Sequence, residues 1–184
     1  LTIFKRVKRE ISPDIITIAG GPHFSFTDRE SLVECPELDL VVRGEGEETI
    51  RELCRRIALK KDFTDVTGTT CRGSRGDIIC NSKRPPIADI DALPFPAWHL
   101  FPVDRYHWAG NRLLAISSSR GCPYRCPYCI TWKVHEGVRL RSPKKIVEEM
   151  VWVKKNFRHD TFFFQDDASF LKREQMEGFL DELE

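Results

Sequence analysis

The 184 residues carry 29 basic and 28 acidic side chains for a formal net charge of +1, and they are 41% hydrophobic and 31% charged. That length and composition allow one or two domains with a real core, and the charge balance excludes a general pull toward nucleic acid or an anionic membrane. The sequence has no run of about 18 apolar residues and no leader pattern at its start, so no membrane span is expected. Its seven cysteines, three of them within eight residues, fit a reducing cytoplasmic setting better than a disulfide framework.

In chain order, Phe4, Val7 and Ile11 recur at helical spacing, and Pro13 closes that helix. Ile15 to Ala19 is a short, β-branched apolar run that reads as a buried strand of a parallel sheet. Gly20-Gly21-Pro22-His23 predicts a turn. Thr27 with Glu30 predicts a capping box opening a helix to about Glu34. Asp39 to Val42 reads as a second strand that runs into Arg43-Gly44-Glu45-Gly46-Glu47-Glu48. Both glycine segments thus fall where open α/β sheets bind ligands, at the carboxyl ends of strands. Ile50, Leu53, Cys54 and Ile57 then share one helical face. The order α, β, α, β, α predicts a parallel sheet flanked by helices.

Val66 to Cys71 and Ile78 to Cys80 predict a hairpin around Gly73-Ser74-Arg75-Gly76-Asp77. Arg84 to Tyr106 holds Pro85, Pro86, Pro94, Pro96 and Pro102 with Trp98 and Phe101, and reads as an ordered segment at a domain junction. Leu113 to Ser117 is a strand, Ser142-Pro143 opens a helix as N-cap and first residue, and Ile146, Met150, Val153 and Phe157 line it. Thr161 to Gln165 is a strand, and Met176, Phe179, Leu180 and Leu183 begin a further helix. This β, α, β, α order is the opening of a (β/α) barrel. The chain opens at Leu1 in one helical pattern and closes at Glu184 in another, so a piece of a longer protein is expected.

Three residue groups carry chemistry. Cys122, Cys126 and Cys129 are spaced C-x3-C-x2-C directly after a strand. Thiolates on so short a loop suit an iron–sulfur cluster or zinc, and three ligands leave one iron of a cube without a protein sulfur. Pro123 and Pro127 restrict the loop and reduce the entropy lost on wrapping a metal. A structural zinc knuckle with His135 as fourth ligand is the alternative, although a second C-x2-C pair is missing from the sequence. Asp166-Asp167 ends a strand where barrel sites gather; the pair could receive an ammonium or cap the next helix. Arg139 and Arg141 could approach an anion or lie on the surface.

The segment Cys122-Pro123-Tyr124-Arg125-Cys126-Pro127-Tyr128-Cys129 resembles the C-x3-C-x-aromatic-C signature of the radical S-adenosylmethionine superfamily. Gly20-Gly21-Pro22-His23, Arg43-Gly44-Glu45-Gly46-Glu47 and Leu93-Pro94-Phe95-Pro96-Ala97-Trp98 resemble segments of its members that carry a cobalamin (B12) binding domain. The resemblance implies an α/β fold: the C-terminal part of a Rossmann-like cobalamin-binding domain over 1–60, a hairpin and proline-rich interdomain segment over 61–108, and the start of a TIM-type (β/α) barrel over 109–184. It implies a [4Fe–4S] cluster on Cys122, Cys126 and Cys129, and S-adenosylmethionine near Tyr128, Asp166 and Asp167. It also implies cobalamin contacts at Gly20, Gly21, His23, Gly44, Glu45 and Gly46. The activity implied is reductive cleavage of S-adenosylmethionine for methyl transfer or radical rearrangement of a small molecule. The implied partner is an electron donor such as a flavodoxin or ferredoxin. A methylthio-transferring enzyme acting on RNA and a non-catalytic zinc-stabilised binding module are the rival readings.

Overall fold

Strand β2 (Leu40–Val42) is buried along its whole length, and the first half of the protein is assembled on it. The computed structural model describes residues 2–184. They form two compact units, Leu1–Pro86 and Ile87–Glu184.

In the first unit, β2 pairs in parallel with β1 (Ile18–Gly20) and antiparallel with β3 (Thr69–Arg72), which pairs with β4 (Ile78–Cys80). Alternation decides which way each side chain points. Ala19 and Val41 face one side, with Leu32, Cys35 and Leu38 of the α3 region (Asp28–Glu34) and the half-buried Phe4 and Phe24. Leu40, Val42 and Cys71 face the other, with Leu53 and Ile57 of α4 (Glu47–Ala58). Helices therefore cover both faces, as the continuous apolar run of β2 requires. The hairpin is part of this sheet, so residues 61–86 belong to the first unit rather than to a separate interdomain segment.

Several local expectations are corrected. The first helix, α1 (Thr2–Arg6), passes into a π-helical turn over Val7–Ile11, and Ile11 stays exposed. The first strand starts only at Ile18, because the Thr17 amide is taken by the Asp39 carboxylate at 2.7 Å. Gly20-Gly21-Pro22-His23 is not a simple turn: Pro22 opens a short helix, α2 (Pro22–Phe26), as its first residue. The capping box at Thr27 and Glu30 does not form. The Thr27 hydroxyl donates back to the His23 carbonyl at 3.1 Å, so α2 has consumed the group that would have capped α3.

In the second unit, β5 (His107–Trp108) forms a hairpin with β6 (Asn111–Ile116), and β6 pairs in parallel with β9 (Thr161–Phe164). The crossover contains β7 (Ser119–Arg120), α5 (Thr131–Val134), β8 (Arg139–Leu140) and α6 (Pro143–Phe157). Ser142 caps α6 through its hydroxyl, which accepts from the Lys145 amide at 3.3 Å, with Pro143 as first residue. Leu114 and Val153 pack with Val103, Trp98, Trp152 and Phe162. The proline-rich stretch from Ile87 onward is thereby part of this unit's own core. Helix α7 (Arg173–Asp181) docks through Phe179, whose ring meets Phe164 and Phe170 at 5.6 and 5.1 Å, while Leu180 and Leu183 remain half-exposed. Among the described residues, no helix is long and apolar enough to cross a membrane.

Candidate functional site

The cysteine loop joins β7 to α5. It leaves β7 through Gly121, whose φ of +87° is open to glycine at little cost. Cys122, Cys126 and Cys129 follow as half-buried free thiols, with the Cys129 amide donating to the Cys126 carbonyl at 3.0 Å. Hydrogen bonds from the Thr131 hydroxyl and amide hold the Cys129 thiol below its ordinary pKa, because they favour the thiolate. Tyr128 is 90% exposed. The neighbouring Cys126, by its charge and by accepting a hydrogen bond, pushes the Tyr128 phenol above its ordinary value.

Among the described residues, no three His, Cys, Asp or Glu side chains form a group that could hold a metal ion. The three thiols share one loop, and His135, at the C-terminal end of α5, is not grouped with them. Their chemistry fits a sulfur-ligated cluster: three accessible soft donors within eight residues, one already biased toward thiolate. Beside Cys122 opens a cavity of about 520 Å³ lined by Arg125, Trp132, Lys133 and Glu136. The Arg125 guanidinium and Lys133 ammonium lie 5.7 and 5.2 Å from the Trp132 ring centroid.

Asp166 and Asp167 follow β9, and the structure gives them different tasks. Asp166 is half-buried and its carboxylate accepts from the Ser118 amide at 3.0 and 2.9 Å, from the Ser119 amide at 3.3 Å and from the Ser118 hydroxyl. Exposed Asp167 accepts from the Thr131 hydroxyl at 3.1 Å, which ties the end of β9 to the segment just after Cys129. Neither caps α7, whose N-cap is Lys172. Ser118, Thr131 and Gln175 escaped the sequence reading. Gln175 donates to the Ser118 carbonyl at 2.9 Å and to that of Arg141 at 3.1 Å.

Arg139 and Arg141, read from the sequence as surface or anion-binding groups, are both held by contacts within the fold. Arg141 is paired with buried Glu149 at 2.6 Å and donates to the Ser117 carbonyl at 2.9 Å. Arg139 donates to the carbonyls of Ile87 and His135 at 2.7 and 3.2 Å.

In the first unit, the two glycine segments lie at the carboxyl ends of the parallel pair. Gly20 ends β1, and Gly21 follows with φ +95°. Gly44 has φ +70°, and Gly46 is the N-cap of α4. A β-carbon at Gly21 or Gly44 would meet nothing within 4 Å, so both turns border open space that a bulky ligand could enter. His23 is exposed on α2 and Glu45 is half-buried between the glycines. Arg43 anchors its turn to the hairpin: its amide donates to the Gly68 carbonyl at 2.8 Å and its guanidinium lies 3.5 Å from Asp28.

Residues 1–54 match the family model of the B12 binding domain, and residues 116–183 match that of the radical SAM superfamily. The chain is 32% identical to an anaerobic magnesium-protoporphyrin IX monomethyl ester cyclase of Rubrivivax gelatinosus, over 97% of this chain and 33% of that protein. It is 30% identical to an uncharacterized methyltransferase of Pyrococcus horikoshii, over 92% of this chain and 37% of that protein. The chain thus spans about a third of the length of these curated relatives. The fold is similar to that of the cobalamin-dependent S-adenosylmethionine radical enzyme OxsB with aqua-cobalamin and S-adenosylmethionine bound. That match has a TM-score of 0.74 and 18% identity, over 99% of this chain and 26% of OxsB. It is also similar to that of the radical S-adenosylmethionine methyltransferase TsrM from Kitasatospora setae with cobalamin and a [4Fe–4S] cluster bound. There the TM-score is 0.70 at 20% identity, over 99% of this chain and 35% of TsrM.

Proposed function

Because the chain belongs to the radical S-adenosylmethionine proteins that carry a B12 binding domain, we propose that the protein is an enzyme that cleaves S-adenosylmethionine reductively and uses cobalamin to transfer a methyl group to, or rearrange, a small molecule. The observation that carries this reading is that Cys122, Cys126 and Cys129 share one loop tied through Thr131 to the carboxylate of Asp167. When bound, a [4Fe–4S] cluster supplies the single electron that breaks a carbon–sulfur bond of S-adenosylmethionine, and cobalamin supplies the methyl group.

The chain's own residues have separable tasks in this scheme. Cys122, Cys126 and Cys129 would hold the cluster, and Tyr128 would lie near the adenine. Asp167 receives the ammonium of S-adenosylmethionine, since the acceptor sites of Asp166 are occupied by Ser118 and Ser119. Gly20, Gly21, His23, Gly44, Glu45 and Gly46 border the cobalamin, and the bare glycine faces let the backbone approach it. The electron comes from a flavodoxin- or ferredoxin-type donor. The names of the relatives, a cyclase and methyltransferases, support ring closure or methyl transfer.

Anaerobic reconstitution with iron and sulfide tests the reading. The wild-type protein is expected to gain the broad visible absorbance of a thiolate-bound cluster and, with a chemical reductant, to form 5′-deoxyadenosine. Cys126→Ala is expected to lose both; a variant that takes up the same cluster and still cleaves S-adenosylmethionine would sink the ligand assignment.

A further inference from the structure

Ser25 joins the two glycine turns of the first unit. Its hydroxyl donates to the Gly21 carbonyl at 2.9 Å and accepts from the Gly44 amide at 3.0 Å. The position of this bridge matters. The parallel ladder of β1 and β2 ends at the pair Gly20 and Val42. Beyond it the sheet no longer sets how far apart the two chains run. Arg43 is drawn toward the hairpin by Gly68 and Asp28, which leaves the next amide, that of Gly44, to Ser25. One hydroxyl on α2 therefore continues the link between β1 and β2 past their last paired residues, one residue beyond on the β1 side and two on the β2 side. It does so where both glycines have positive φ and face open space.

We propose that Ser25 is a positioning residue for cobalamin: it fixes the spacing of the Gly21 and Gly44 turns that border the corrin. The inference rests on the assignment of cobalamin to this edge, and it goes beyond that assignment by naming a residue that need not touch the ligand. Without the hydroxyl, the half-buried Gly44 amide loses its acceptor, and the two turns must be brought to the binding distance at the expense of affinity.

The test titrates the intact wild-type, Ser25→Ala and Ser25→Thr proteins with hydroxocobalamin, followed by visible absorbance. In parallel, hydrogen exchange of the Gly44 amide is measured without cobalamin. Ser25→Ala is expected to bind about five- to tenfold more weakly and to exchange the Gly44 amide faster, with a cooperative unfolding transition retained at a slightly lower Tm and unchanged iron uptake at the cysteine loop. Ser25→Thr keeps the hydroxyl and is expected to restore both affinity and protection; this rescue separates positioning from a general loss of fold. If wild type binds and Ser25→Ala binds equally well, the role of Ser25 is overturned while the cobalamin assignment stands. If Ser25→Thr folds and keeps Gly44 protected yet binds as weakly as Ser25→Ala, the role is likewise overturned. If wild type binds no cobalamin, the assignment itself falls and the role of Ser25 toward cobalamin falls with it.

Discussion

Asp166 grips Ser118 across the parallel pair of strands: its two carboxylate oxygens lie 3.0 and 2.9 Å from the Ser118 amide, and the Ser118 hydroxyl donates to it as well. Ser118 is fully buried and sits between β6 and the cysteine loop, so its amide has no water to turn to. Asp166→Asn keeps one acceptor but turns an NH₂ group toward donors. It is expected to destabilise the protein by about 1–3 kcal/mol, measured by chemical denaturation. Asp167→Asn, which disturbs only the bond from Thr131, is expected to leave stability within about 0.5 kcal/mol of wild type and to weaken S-adenosylmethionine binding. If Asp166→Asn were the variant with native stability and lost binding, the division of labour between the two carboxylates would be reversed.

The entrance to the cysteine loop is set by a second contact. A β-carbon at Gly121 would lie 2.0 Å from the Gly137 carbonyl oxygen, and Gly121 already has φ +87°. Gly121→Ala therefore combines a left-handed backbone with a backbone clash that no rotamer relieves, and it is expected to cost about 3–5 kcal/mol. Gly137 has φ +86° but open space where its β-carbon would be, so Gly137→Ala should cost only the backbone term, about 1–2 kcal/mol. Thermal unfolding of the two variants side by side checks the difference; equal losses would mean that the contact with Gly137 is not what requires glycine at 121.

Much of the architecture was legible because its signals are local. Asp39 to Val42 reads as a strand and Ser142-Pro143 as a helix start, and the structure has a strand over Leu40–Val42 and a helix from Pro143 capped by Ser142. The three cysteines stand out by spacing alone. What stayed illegible depends on partners far along the chain. Asp166 looked like a ligand or a cap until the fold brought Ser118 to it, 48 residues away. Arg141 looked like a surface or anion-binding group until α6 set Glu149 against it. Thr27 carried a good capping signature, but the helix at Pro22 supplied a nearer carbonyl for its hydroxyl. In each case a polar or charged side chain had several chemically similar options, and tertiary contacts chose among them.

The first unit carries an acid-sensitive link of the same long-range kind. Glu52 of α4 accepts from Arg84, which lies past the hairpin, and is also paired with Arg56 at 2.9 Å. Arg84 further donates to the buried Thr49 hydroxyl at 2.9 Å, so this one side chain fastens the end of the hairpin to α4. The Arg84 guanidinium, with help from Arg56, holds the Glu52 carboxyl below its ordinary range. In the unfolded chain the same carboxyl returns to its ordinary value. A folded pKa lower than the unfolded one means that the unfolded state binds the proton first. The link therefore contributes its full stability above that ordinary value and loses it as pH falls through the lower, folded value. Denaturant unfolding at neutral pH and at a pH below the ordinary carboxylate range should show wild type losing more stability on acidification than Glu52→Gln, which has no charge to lose. Because Glu52 is about one-third exposed, water screens the pair and the difference is expected to be modest, about 0.5–1 kcal/mol. Equal acid losses in the two proteins would assign the acid sensitivity of this unit to other carboxylates.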